Sequence, residues 1–261
     1  MSAFTDFKIS NLLRNALGDL GFENATPIQE QAFPVVMSGK DIVGIAQTGT
    51  GKTFAYLLPI LNTHNFSKDI HPKTLILVPT RELVVQVVEE VEKLGKYASV
   101  RVLGVYGGTG MNKQKEALAM GTDIVVGTPA RLYDLVLSRA LQLKSIKKLV
   151  IDEVDVMLDL GFRFQLINIF ELLPKRRQNI MFSATMTDDV ELLINDFFSG
   201  VEKISVAVSG TPLENIAQST YAVPNFYTKV NLLIHLLQDT ETFHKVLVFF
   251  SSNRTAALLF Q

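Results

Sequence analysis

The sequence predicts an α/β protein in which a parallel sheet is covered by helices on both faces. Three observations carry that prediction. Short aliphatic and β-branched runs alternate with amphipathic helical stretches over the first 208 residues, the pattern of repeated strand–helix–strand units. Two of the runs, at 74–78 and 123–126, are almost continuously apolar, as strands buried on both faces must be. A glycine-rich turn, Ala46-Gln47-Thr48-Gly49-Thr50-Gly51-Lys52-Thr53, lies between the apolar run Ile42-Val43-Gly44-Ile45 and the helical pattern that opens with Phe54.

In chain order, the predicted strands are 42–46, 74–78, 101–106, 123–127, 148–152, 179–183 and 203–208. Helical patterns lie between them. Glu82 to Tyr97, for example, places Leu83, Val87, Val91 and Leu94 on one face. In such a sheet, ligands sit at the carboxyl ends of the strands. The first domain is expected to span 1–208. Ser209-Gly210-Thr211-Pro212 opens a polar, breaker-rich linker at 209–216. A strand at 218–223, a helix at 225–238, a strand at 245–250 and a helix from 253 follow. One such unit cannot bury a full core, so 217–261 is expected to be the truncated start of a second domain.

Composition narrows the function classes. With 261 residues and 48% hydrophobic content, the chain has material for a core and is not a disordered polymer. It has no cysteine, and its four histidines show no ligand spacing. This argues against a disulfide framework and a structural zinc site. No apolar stretch reaches the length of a membrane span, and the N-terminus does not read as a signal peptide. The expected protein is soluble and intracellular, cytoplasmic or nuclear, and not secreted. A net charge of −1 confines any nucleic-acid site to a local patch.

The turn at 46–53 reads as a phosphate-binding loop. Gly49 and Gly51 let backbone N–H groups turn inward around an anion, and the following helix adds its dipole. Lys52 can reach the outer phosphates, and the Thr53 hydroxyl can ligate Mg²⁺. Asp152 and Glu153 follow the apolar run Leu149-Val150-Ile151. An acid at that strand end can hold Mg²⁺, and its neighbour can orient or deprotonate a water.

Further motifs stand at 21–29 (Gly21-Phe22-Glu23-Asn24-Ala25-Thr26-Pro27-Ile28-Gln29), 79–83 (Pro79-Thr80-Arg81-Glu82-Leu83), 128–131 (Thr128-Pro129-Ala130-Arg131) and 183–185 (Ser183-Ala184-Thr185). With the loop and Asp152-Glu153-Val154-Asp155, these six motifs, in this order, resemble the DEAD-box family of ATP-dependent RNA helicases. The likeness covers about the whole chain. It implies a RecA-like P-loop NTPase domain followed by an incomplete second RecA-like domain. It also implies ATP and Mg²⁺ as cofactors and RNA as partner.

The resemblance assigns roles. Lys52, Asp152 and Glu153 are the catalytic residues, and Thr53 and Asp152 hold the metal. Thr26, Gln29, Gln47, Thr48, Gly49, Thr50, Gly51, Lys52 and Thr53 bind the nucleotide, with Gln29 reading adenine. Phe4 stands 17 residues before Gly21, where the family keeps an aromatic that stacks on adenine. A core role for Phe4, with Phe7 as the stacker, is the alternative. Asp155, Ser183 and Thr185 couple the site to the second domain. Pro79, Thr80, Arg81, Gly107, Gly108, Thr128, Pro129 and Arg131 contact the RNA backbone. Their hydroxyls, guanidinium groups and glycine N–H groups suit phosphates and imply little sequence preference.

Two departures from the family pattern stand out. Val154 replaces an Ala, and Ala130 replaces the usual Gly of the 128–131 motif. The segment 246–254 resembles the strand and turn that open the second domain. The later arginine-rich motif has no counterpart in this sequence, which implies a fragment with little unwinding activity alone. A DNA translocase on the same core and an ATP-gated RNA clamp remain the other readings.

Overall fold

The structure, a computed structural model, describes residues 2–206 and 217–259. The linker expected at 209–216 lies outside the described residues. By contacts the chain divides into two compact units, Met1–Gly210 and Thr211–Gln261.

The first unit opens with a 3₁₀ turn at Phe4–Asp6 and helices α1 (Asn11–Asp19) and α2 (Pro27–Met37). It then alternates: β1 (Ile42–Ala46), α3 (Lys52–Asn62), β2 (Thr74–Leu77), α4 (Arg81–Leu94), β3 (Val102–Val105), α5 (Met111–Ala119), β4 (Ile124–Gly127) and α6 (Pro129–Leu137). It closes with β5 (Lys148–Ile151), α7 (Val154–Asp159), α8 (Arg163–Leu172), β6 (Gln178–Ser183), α9 (Asp188–Phe197) and β7 (Glu202–Val206). All seven predicted strands form, each within two residues of its expected bounds. They make one sheet in the order β3-β4-β2-β5-β6-β1-β7, with every pairing parallel.

Alternation along the strands feeds two cores. On one face Ile42, Ile76, Val150, Ile180 and Phe182 pack against α1 to α4. On the other, Val43, Leu75, Leu77, Leu149, Ile151 and Met181 pack against α6 to α9. Gly44 of β1 is required by this packing. It sits opposite Phe182 in register, and a Cβ there would lie 2.4 Å from the Phe182 ring. Helix starts follow the sequence: Ser10, Thr80 and Thr187 cap α1, α4 and α9 by accepting backbone N–H groups. No helix among the described residues is long and apolar enough to cross a membrane.

In the second unit, the helix expected at 225–238 forms as α10 (Phe226–Leu237), and α11 (Asn253–Leu259) follows. The strands expected at 218–223 and 245–250 do not form. The run at 246–250 is apolar, but a strand needs another strand to take its backbone hydrogen bonds. Among the described residues this unit offers none, and Leu247 and Phe249 are left 78% and 85% exposed.

Candidate functional site

Sheet order decides what can meet at the carboxyl edge. β5, β6 and β1 are neighbours, so the segments after them (152–153, 184–185 and 47–51) emerge side by side. β2, β4 and β3 are neighbours on the other half, so 79–81, 128–131 and 106–110 also share an edge. The sequence-derived residues therefore fall into two adjacent groups.

The first group surrounds a cavity of about 250 Å³ lined by Thr48, Gly49, Gly51, Lys52, Thr53, Asp152 and Glu153, together with Val78, Leu83, Gln86 and Val87. The last four were not legible as site residues. Gln86 and Leu83 come from α4, whose pattern reads only as an amphipathic helix. Gly51 takes φ +91° at the N-cap of α3 and Gly49 φ +85°, backbone that side chains resist. Lys52 is thereby the first residue of the helix. Thr50 ties the loop by donating from Oγ1 to the Gln47 carbonyl, 2.8 Å.

Lys52 and Asp152 are both buried, and among the described residues Lys52 Nζ and Asp152 Oδ1 have no hydrogen-bond partner. Burial pushes the Asp152 carboxyl up to about 6, the nearby Lys52 ammonium opposes that rise, and Glu153 adds to it. Tyr56, one turn along α3 from Lys52, is fully buried, and its hydroxyl makes no well-formed hydrogen bond. Burial and the Asp152 charge raise its pKa. Such orphaned polar atoms around one cavity are costly unless a ligand completes them.

Gln29 is buried beside the loop. Its Oε1 accepts the Thr26 N–H at 3.0 Å, and its Nε2 donates to the Gly51 carbonyl at 3.1 Å. The bond to the Thr26 N–H belongs to a capping box that starts α2. One Nε2 hydrogen and one Oε1 lone pair of Gln29 stay free. A Cβ on Gly51 would strike Gln29 Nε2 at 2.5 Å, so glycine is needed there for space as well as for φ. Phe4 is 4% exposed and belongs to the core, packed on Phe7, which in turn meets Phe33 edge-on. It lies outside the lining of this cavity.

Glu153 has φ +56° and ψ +49°, left-handed backbone at a residue with a full side chain. Two positions on, Asp155 Oδ2 accepts from Ala184 N–H (3.1 Å), Thr185 N–H (2.9 Å) and Thr185 Oγ1 (2.9 Å). Ser183 is fully buried with an unpartnered hydroxyl.

In the second group, the Arg81 guanidinium lies 4.9 Å over the Tyr106 ring. Gly107 and Gly108 are exposed, Gly108 at φ +80°. Thr80 caps α4, and Pro129 takes the first position of α6 after Thr128. Arg131 is half-buried and donates from Nη1 to the Thr109 carbonyl (3.2 Å) and to Gln114 Oε1 (2.9 Å). Its Nη1 is thus committed within the protein, to the loop after β3 and to α5.

A larger, open hollow of about 550 Å³ lies between the N-terminal segment and α2, lined by Phe7, Phe33 and Met37 among others. None of the orphaned buried polar atoms lines it.

A parallel sheet with a glycine loop opening a helix, and paired acids two strands away, defines a RecA-like phosphate-loop domain. A crystal structure of a DEAD box protein from the hyperthermophile Methanococcus jannaschii matches 92% of this chain and 64% of its own, with TM-score 0.76 and 32% identity. That of a hypothetical ATP-dependent RNA helicase from Sulfolobus tokodaii matches 76% and 57%, with TM-score 0.70 and 34% identity. The chain belongs to the DEAD/DEAH box helicase family, which residues 26–193 match. It is 37% identical over 254 residues to the DEAD-box ATP-dependent RNA helicase CshA of Bacillus cereus, 97% of this chain and 48% of that one. It is 36% identical over 256 residues to the RNA helicase CrhR of a Synechocystis species, 98% and 51%. The chain thus spans about half the length of these curated relatives.

Proposed function

We propose that this chain is the ATP-binding portion of an RNA-dependent ATPase that remodels RNA, with residues 1–208 as its first RecA-like domain, 209–216 as linker and 217–261 as the start of a second. The observation that carries the reading is the pair of unpartnered buried groups, Lys52 Nζ and Asp152 Oδ1, at the mouth of the 47–53 loop. A cation and a carboxylate held apart in a polar cavity fit a phosphate chain and a divalent metal respectively.

In this reading the N–H groups of 48–52 and Lys52 hold the outer phosphates, while Thr53 and Asp152 hold Mg²⁺. When bound, Mg²⁺ neutralises charge on the phosphoryl oxygens. Glu153 orients and deprotonates the attacking water. Gln29 bridges base and loop: its free amide edge reads adenine while its bonds to Thr26 and Gly51 report occupancy to the phosphate site. The second group of residues grips the RNA backbone. Relatives named as RNA helicases support the substrate assignment.

Fluorescence anisotropy of a labelled single-stranded RNA, with ATP–Mg²⁺ titrated into the protein, tests the pairing of ligands. ATP is expected to strengthen RNA binding and leave single-stranded DNA of the same sequence weakly bound. Equal binding of DNA would favour a DNA translocase instead.

A further inference from the structure

The loop that follows β3 carries Gly107 and Gly108 between two tethered residues. The tethers converge on Gln114, a buried side chain on α5 that is 9% exposed. Its Nε2 donates to the Tyr106 carbonyl at 3.1 Å and to Thr109 Oγ1 at 2.7 Å. Its Oε1 accepts from Arg131 Nη1 at 2.9 Å, and the same Nη1 reaches the Thr109 carbonyl at 3.2 Å. Thr109 Oγ1 closes the ring on the Tyr106 carbonyl, 3.1 Å. One amide therefore spends both of its donor hydrogens on the two ends of the loop and its acceptor on the arginine of the next strand–helix turn. Between those ends the N–H groups of Gly107 and Gly108 enter no hydrogen bond among the described residues, and both glycines are exposed. Free backbone donors on a fixed, exposed turn suit phosphate oxygens. Arg131 uses only Nη1 within this ring, so its other nitrogens remain available.

We propose that Gln114 is a positioning residue for RNA. It does not touch the strand, but with Arg131 it clamps residues 106–110 so that the Gly107 and Gly108 N–H groups are presented to the phosphodiester backbone. The proposal rests on the RNA-binding reading above. It also reassigns part of Arg131, which holds the loop as well as facing the ligand. Tyr106 is fixed by the same ring. The Arg81 guanidinium rests on its face, so disorder in the loop would spread to the neighbouring cation.

The test compares Gln114→Ala and Gln114→Glu with the parent chain, reading three quantities. These are the affinity for a labelled single-stranded RNA, the affinity for fluorescent ATP with Mg²⁺, and amide hydrogen exchange at 106–110. Gln114→Glu keeps an acceptor for Arg131 but loses both donated bonds, so both variants are expected to weaken RNA by roughly tenfold. ATP affinity should be unchanged, melting temperature should fall modestly as the partners of Gln114 lose their bonds, and exchange at 106–110 should be faster. RNA affinity unchanged in both variants would overturn the proposal. Parallel loss of RNA and ATP affinity would also overturn it, since that marks a residue of the fold. If the parent itself binds no RNA, the functional reading fails separately. Exchange then decides the clamp: unchanged rates in the variants refute it, and faster rates uphold it.

Discussion

Asp155 holds Thr185 through a single carboxylate oxygen: Oδ2 takes both the Thr185 N–H and the Thr185 hydroxyl at 2.9 Å, across 30 residues of sequence. The contact joins the turn after β6 to the first turn of α7, two residues beyond Glu153. Asp155→Ala leaves three donors without their acceptor and is expected to destabilise the first unit by about 1–3 kcal/mol. Thr185→Val, which removes one bond of the three, should lose about 1 kcal/mol. Urea unfolding of the two variants measures both. In the proposed function, Asp155→Asn additionally uncouples RNA from ATP hydrolysis while nucleotide affinity is kept.

Glu153 makes a different prediction, because its backbone is strained. Left-handed geometry disfavours a residue with a Cβ by about 1–2 kcal/mol, and glycine escapes that penalty but gains freedom in the unfolded chain. Glu153→Gly is therefore expected to raise stability by about 0.5–1 kcal/mol, and Glu153→Gln to leave it unchanged. In the proposed function, both substitutions abolish hydrolysis. Thermal melts beside an ATPase assay separate the two effects. A drop in melting temperature for Glu153→Gly would contradict the strain reading.

Lys148 offers a pH test remote from the site. Burial lowers its ammonium from the ordinary range to about 8, and among the described residues Nζ meets only the Thr63 hydroxyl. Between about pH 8 and the unfolded lysine value the unfolded chain binds the extra proton, so stability rises with pH there. Below that window the full penalty of a partly buried charge is present. Lys148→Met should stabilise the protein by about 1–2 kcal/mol at neutral pH. The difference between parent and variant should shrink as pH climbs from 8 to 10.5. A pH-independent difference in denaturant midpoints would reject the assignment.

Gln29 is committed to the protein as well as to the proposed base. Gln29→Ala removes its bonds to Thr26 and to the Gly51 carbonyl, so some loss is expected for every nucleotide. If the amide also reads adenine, ATP affinity falls further than GTP affinity, by roughly tenfold. Competition titrations with both nucleotides distinguish the roles, and equal losses would leave only the loop brace.

How far the sequence reaches depends on the kind of interaction. The seven strands were legible because runs such as Leu75-Ile76-Leu77 and Val150-Ile151 are buried on both faces, which removes the ambiguity of a polar side. The turn at 49–51 was legible because only glycine tolerates its φ. Strand order was not, since parallel neighbours leave no mark on each other's sequence. The runs at 218–223 and 245–250 looked the same as true strands but lack a pairing partner among the described residues. Gln114 gave no signal at all. A glutamine on a polar helix looks solvated, and its partners sit 8 residues before and 17 after it. The tie between Asp155 and Thr185 was reached only through family likeness, because no local rule links an acid to a hydroxyl 30 positions away.

The central claim is that the 47–53 loop and Asp152 form one nucleotide–metal site, and calorimetric titration of ATP into the parent chain and Lys52→Ala, with and without Mg²⁺, tests it most directly. The account predicts Mg²⁺-dependent binding by the parent and at least roughly tenfold weaker binding by Lys52→Ala, with the fold unchanged by circular dichroism. Equal affinity in the two proteins, or binding indifferent to Mg²⁺, would contradict it.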